Sequence, residues 1–160
     1  TSSYANVAQR TTASIARLLS LPMMDDDPSP VEGVDDPYFL SLIILASNGE
    51  SKARETLSQR VDAMVPWKQA WSHYFLAIGY LAEQTSDART KGMLYLAKVA
   101  AKSRSIQPWL AGASMIRLSD ELARDGFIEE SRRIMDEAKR YFPTHPLLEH
   151  DEYQIRNLVR

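Results

Sequence analysis

The sequence contains no cysteine among its 160 residues. A disulfide framework, a cysteine-ligated zinc site and a cysteine nucleophile are therefore excluded as structural and chemical classes. The absence of cysteine is compatible with the cytoplasm and with the bacterial periplasm alike, so the localisation stays unknown.

A strong excess of charge and a long apolar run are also absent. The 19 Lys and Arg residues and 21 Asp and Glu residues give a formal net charge of -2, whereas nucleic-acid-binding domains are usually basic. The longest apolar run, Phe39–Ala46, is interrupted by Ser41 and is too short for the roughly 20 residues of a membrane-spanning helix. We expect no membrane span. The charge does not favour a nucleic-acid partner, although binding of one through the basic stretch Arg89–Arg104 stays a third alternative function.

Motifs of catalysis and cofactor binding are missing as well. The sequence has no phosphate-binding loop, no glycine-rich dinucleotide fingerprint and no HExxH zinc motif. His145 and His150 are five residues apart, so they lack the i,i+4 spacing of two metal ligands on one helical face. We predict a protein without catalytic residues, metal or cofactor.

The patterns that are present predict helices. Apolar residues recur at steps of three and four, and the eight prolines lie between these periodic runs. The predicted helices are Ser3–Leu21, Pro37–Ser47, Glu50–Met64, Trp67–Gln84, Ala88–Ser103, Pro108–Asp125, Phe127–Tyr141 and Pro146–Arg160. Connections are short, so neighbouring helices should be antiparallel, and the fold class is all-α.

Two segments precede the main helical domain. Residues 1–22 form an amphipathic helix by prediction, with an apolar stripe of Tyr4, Ala8, Ile15 and Leu18. Residues 23–36 carry six acidic residues, no basic residue and two prolines, and we interpret them as an acidic linker. The domain proper then covers residues 37–160.

The order of large and small residues in this domain is periodic. Between Gly112 and Pro146, Met115, Leu118, small Ser119 and Leu122 precede the Gly126 turn, and small Ser131, Met135, small Ala138 and Pro143 follow it. This order resembles the tetratricopeptide repeat, a helical hairpin in which small residues allow close helix approach. Weaker matches upstream are His73, Leu76, Ala77 and Tyr80 with Gly92, Leu96 and Val99, and Leu40, Ser41 and Ile44 with Ala53 and Leu57.

The resemblance implies a right-handed stack of about three hairpins over Val34–Pro146, with Leu147–Arg160 as a C-terminal capping helix. The alternative is an irregular all-α bundle whose hairpins look alike. In the repeat family the first helix of each hairpin lines a concave surface. The resemblance therefore places a partner-binding set there: Tyr38, Leu42, Trp71, Tyr74, Ile78 and Ile116.

An apolar concave surface of this kind should be covered. The candidates are the chain's own first helix, a second copy in a homodimer, and a helix or peptide of a partner protein. The first helix could equally add a layer at the end of the stack.

A second candidate site is basic. Between Ala88 and Ser119 there is no acidic residue, and Lys91, Tyr95, Lys98 and Lys102 share one helical face. The default interpretation is a solvated outer face, facing the acidic linker. The alternative is a site for a C-terminal carboxylate, an acidic peptide or a phosphate.

These patterns predict a non-catalytic scaffold or adaptor that binds a peptide, a helix or an assembly subunit. By analogy, such a module suits a soluble domain of a secretion, pilus or envelope-assembly protein. The alternative function is a helical enzyme or small-ligand binder with a pocket around Trp71, His73 and Tyr74.

Overall fold

The computed structural model describes residues 37–149. The predicted helix over residues 3–21, the acidic linker and most of the capping helix lie outside the described residues. Within residues 37–149 the chain forms helices, turns and short connections and contains no strand, which confirms the all-α class.

The helices follow one another closely. They are α1 (Pro37–Ser47), α2 (Ser51–Arg60), α3 (Pro66–Ala82), α4 (Ser86–Lys102), α5 (Pro108–Arg124) and α6 (Ile128–Tyr141), with a 3-10 turn at Val61–Ala63. Residues 146–149 are again helical. The helix expected to run to Met64 is shorter, because the chain tightens into the 3-10 turn after Arg60.

Local chemistry sets the helix ends. Pro66 and Pro108 begin α3 and α5, where the missing proline N–H removes no helical hydrogen bond. Thr85 caps α4, since its hydroxyl accepts a hydrogen bond from the Ala88 N–H at 3.2 Å. Gly49 and Gly126 follow α1 and α5 with φ of 86° and 89°, a left-handed conformation that glycine adopts without strain.

Helices consecutive in the chain pack on each other as the pairs α1–α2, α3–α4 and α5–α6. The pairs are joined by contacts of α1 with α3 and of α4 with α5. Small residues lie at two of these helix–helix contacts, α5 with α6 and α1 with α3. The Ser119 hydroxyl donates to the Ser131 carbonyl oxygen at 2.8 Å between α5 and α6, and Gly79 of α3 faces the Ala46 carbonyl of α1.

The core is centred on α3. Trp71 stacks on Phe75 and on Trp109 of α5, at centroid distances of 5.7 and 6.4 Å. The buried Tyr74 hydroxyl accepts a hydrogen bond from Arg117 Nε at 2.6 Å. A second cluster between α5 and α6 contains Met115, Ile116, Met135, Ala138 and Phe142.

The approach of α3 to α1 can be tested at Gly79. A Cβ atom at this position would collide with the backbone carbonyl of Ala46. Alanine in a helix normally stabilises by about 1 kcal/mol relative to glycine, but overpacking costs about 1 to 3 kcal/mol. We expect Gly79→Ala to lower the free energy of unfolding measured by urea denaturation. The control Gln59→Ala, on the exposed side of α2, should change it by less than about 0.5 kcal/mol; an increase in Gly79→Ala would contradict the packing.

Candidate binding groove

The structure buries most of the residues expected on a concave binding surface. Leu42, Trp71, Tyr74 and Ile116 are exposed by only 7%, 0%, 1% and 2%. Helix α3 is apolar on nearly all sides and packs among α1, α2, α4 and α5, so its aromatic residues belong to the core. The prediction that these four side chains are presented to a partner is therefore corrected.

The other two residues of the predicted partner-binding set, Tyr38 and Ile78, are not fully buried. Ile78 is partly buried and packs against the first core cluster. Tyr38 is exposed by 59%, and the Arg60 guanidinium lies 5.8 Å from its ring centroid. Neither residue belongs to a shared open surface with the four buried side chains.

The predicted basic face, in contrast, lines an open groove of about 690 Å³. Helix α2 contributes Ser58, helix α3 contributes Tyr80, and helix α4 forms the longest side. The residues of α4 are Lys91, Leu94, Tyr95, Ala97, Lys98, Ala101 and Lys102. All four residues of the predicted basic patch thus lie at one groove.

The groove has an aromatic wall. Tyr95 of α4 stacks with His73 at 5.4 Å and with Tyr80 at 6.0 Å between ring centroids. His73 and Tyr80 are seven residues apart on α3 and therefore share one face of that helix. This row of three rings joins α3 to α4 and holds the wall in place.

Positive charges lie along this wall. Lys91 is 5.5 Å from the ring centroid of Tyr80, and Lys98 is 5.7 Å from that of Tyr95. Arg54 of α2 lies over the Tyr80 ring at 4.8 Å and forms an ion pair with Glu83. Among residues 37–149 no carboxylate forms an ion pair with Lys91, Lys98 or Lys102. The rim of the groove therefore carries three cations without counter-charges in the described fold.

The floor beside the lysines is apolar. Leu94 is exposed by 62%, and Ala97 and Ala101 follow it at helical spacing along the groove. Sequence patterns did not single out this stripe, although the i, i+3, i+7 spacing of these three residues is visible beside the lysines. Tyr80, one position of the weaker repeat match, packs against the core and also contributes its ring to the groove wall.

The local charge acts on His73. Partial burial lowers the pKa of this imidazole, and the positive charges of Lys98 and Lys102 lower it further, while Asp62 acts in the opposite direction. The imidazole therefore binds a proton less readily than a free histidine does, so the ring that stacks on Tyr95 favours its neutral form.

The alternative catalytic pocket around Trp71, His73 and Tyr74 does not have convergent side chains. Trp71 and Tyr74 contact the Trp109 ring of α5, whereas His73 stacks against α4. His145 is buried, and its Nε2 lies 2.8 Å from the Trp109 carbonyl oxygen, an internal hydrogen bond that fastens the chain after α6 to α5. His150, the other histidine considered as a metal ligand, lies outside the described residues.

The described part of the chain offers neither a cluster of metal ligands nor a membrane-spanning helix. No group of three or more His, Cys, Asp or Glu side chains there could hold a metal ion. None of the helices within residues 37–149 has the length and apolar content that crossing a bilayer requires.

Comparison of the chain with protein-family models, with curated proteins and with solved structures finds no match in any of the three. Functional assignment therefore depends on the geometry and chemistry of the chain's own residues.

The electrostatic link between the groove and His73 is testable by NMR titration. We expect the His73 pKa to lie below 6.5 and to rise in Lys98→Gln, because one neighbouring positive charge is removed. The same lowered pKa affects stability. Because the folded state resists protonation of His73, the unfolded chain binds more protons, and the free energy of unfolding should fall as the pH decreases below about 6.5. Lys52→Gln, on an exposed position of α2, is the control and should leave the titration unchanged. An unchanged pKa in Lys98→Gln would contradict the coupling.

Proposed function

We propose that this chain is a non-catalytic protein-interaction module that binds a partner segment in the groove between α2, α3 and α4. The observation that carries the proposal is the groove itself, which joins an exposed apolar floor to a rim of three lysines. The partner segment has acidic side chains for the rim and apolar side chains for the floor.

The proposed architecture is a short right-handed stack of tetratricopeptide-like hairpins. Support comes from the pairing of α1 with α2, α3 with α4 and α5 with α6. It also comes from the Ser119–Ser131 hydrogen bond at the expected small positions. In this architecture the groove lies between the second helices of two successive hairpins, rather than on the concave side.

The distance between the outermost lysines sets the length of the segment that the groove can bind. From Lys91 to Lys102 the rise of an α-helix gives about 16 Å, which matches about five residues of an extended chain. Each exposed ion pair contributes only about 0.2 to 1 kcal/mol. Contact with Leu94, Ala97 and Tyr80 must therefore supply much of the affinity, and the lysines set orientation and association rate.

The test is selection of peptides that bind the full chain from a random phage-displayed library. We expect the selected peptides to combine Asp or Glu with apolar residues and to lose at least tenfold in affinity, about 1.4 kcal/mol, against Lys98→Glu and against Leu94→Ser. Both side chains are exposed, so the fold should tolerate these changes.

Lys52→Glu is the matched control, because it makes the same charge change on an exposed position of α2 away from the groove. Selected peptides without acidic residues, or equal affinity for the control and the groove variants, would refute the proposed site. Binding of a second copy of this chain instead, detected as a dimer by light scattering, would also refute it.

A further inference from the structure

The acidic linker matches the groove in chemistry. Residues 23–36 contain six acidic residues and no basic residue, and the groove rim carries three lysines without carboxylate partners within residues 37–149. The segment also supplies apolar side chains for the floor, namely Met23, Met24, Val31 and Val34. Pro28 and Pro30 favour an extended chain over a helix.

The segment joins the described fold close to the groove. It is continuous with α1, whose second residue, Tyr38, contacts Arg60 at the end of α2. Ser58, which lines the groove, precedes Arg60 by two residues on the same helix, a rise of about 3 Å, although the two side chains point to different sides of that helix. The segment therefore joins the fold near the level of Ser58 along α2, on the side of that helix that carries Arg60.

The same end of the groove holds two of the three lysines. His73, which stacks on Tyr95 of the wall, is under the electrostatic influence of both Asp62, just after α2, and Lys98 and Lys102, near the end of α4. The C-terminal ends of α2 and α4 thus lie on one side of the molecule. Of the three groove lysines, Lys98 and Lys102 therefore lie at the end where the acidic segment joins α1, where Arg60 contacts Tyr38.

We infer that residues 23–36 bind in the groove of their own chain and compete there with the partner segment. Glu32, Asp35 and Asp36 contact Lys98 and Lys102, and the residues before them continue along the floor towards Lys91. The inference rests on the proposed function, because it concerns the same groove, and it adds a regulatory contact within the chain.

The length of the segment and its attachment favour this contact. Fourteen extended residues span up to about 46 Å, about three times the distance of about 16 Å between the outermost lysines. A short tether gives an effective concentration in the millimolar range, so weak ion pairs suffice for substantial occupancy. If nine-tenths of the molecules are self-occupied, the apparent affinity for a partner falls about tenfold.

The contact can be detected in the full chain by zero-length carbodiimide coupling of carboxylates to amines, followed by peptide mass spectrometry. We expect cross-links from Glu32, Asp35 or Asp36 to Lys98 or Lys102, and their loss at high salt. Mixing isotopically labelled with unlabelled chains separates links within one chain from links between copies. Links found only between copies, or only to lysines outside the groove such as Lys52, would overturn the inference.

A second experiment separates failure of the inference from failure of the proposed function. In a full-chain variant, the six acidic residues of 23–36 are replaced by Asn and Gln. A library-selected peptide should bind this variant about tenfold more tightly. Neutralising three acidic residues that are exposed on α6, namely Glu129, Glu130 and Asp136, is the control for loss of negative charge away from the groove and should leave the affinity unchanged.

The outcomes are distinct. If Lys98→Glu weakens peptide binding, but neutralisation of the acidic segment does not strengthen it and the cross-links are absent, the inference fails and the groove function stands. If Lys98→Glu and Leu94→Ser have no effect on peptide binding, the proposed function fails.

Discussion

Burial of α3 is the constraint on which the rest of the described structure depends. Its Trp71, Tyr74 and Phe75 side chains can leave water only if neighbouring helices cover the sides of α3 that carry them. Helices α1, α2, α4 and α5 provide that cover. Because Trp109 of α5 stacks on Trp71 and Arg117 binds the Tyr74 hydroxyl, the third helical pair is fixed by the same core. The arrangement of the helices thus follows from one helix that is apolar on nearly all sides.

The groove is a consequence of the same arrangement. Helix α4 packs one side against α3 and another against α5, so the side that faces α2 stays open. Leu94 and Ala97 would make an apolar patch there, but Lys91, Lys98 and Lys102 flank them and keep the surface hydrated. Stacking of Tyr95 between His73 and Tyr80 limits motion of the wall. A groove held in place in this way loses little conformational entropy when it is occupied.

Within residues 37–149 the sequence predicted the helices well, because helical period and proline position are local properties. It predicted the exposure of α3 poorly. Whether Trp71 or Tyr74 lies on a surface depends on which helices surround α3, which is a property of packing that periodicity alone does not contain. Leu94 shows the opposite case, since an apolar residue at a regular position in an amphipathic helix suggests burial, whereas it lies open at 62% exposure. The arrangement of the neighbouring helices determines both the burial of Trp71 and Tyr74 and the exposure of Leu94.

Charge is distributed unevenly over this nearly neutral chain, and this distribution favours the groove as the binding site over other exposed apolar positions. Phe127 and Ile128 are also exposed, but Glu129 and Glu130 follow them directly and Arg124 precedes them, so the surrounding potential has no single sign. Beside the groove, in contrast, no acidic residue occurs between Ala88 and Ser119. A field of one sign raises the local concentration of an acidic segment and accelerates its association. The basic stretch and the acidic residues 23–36 therefore form the complementary pair of charges within this sequence.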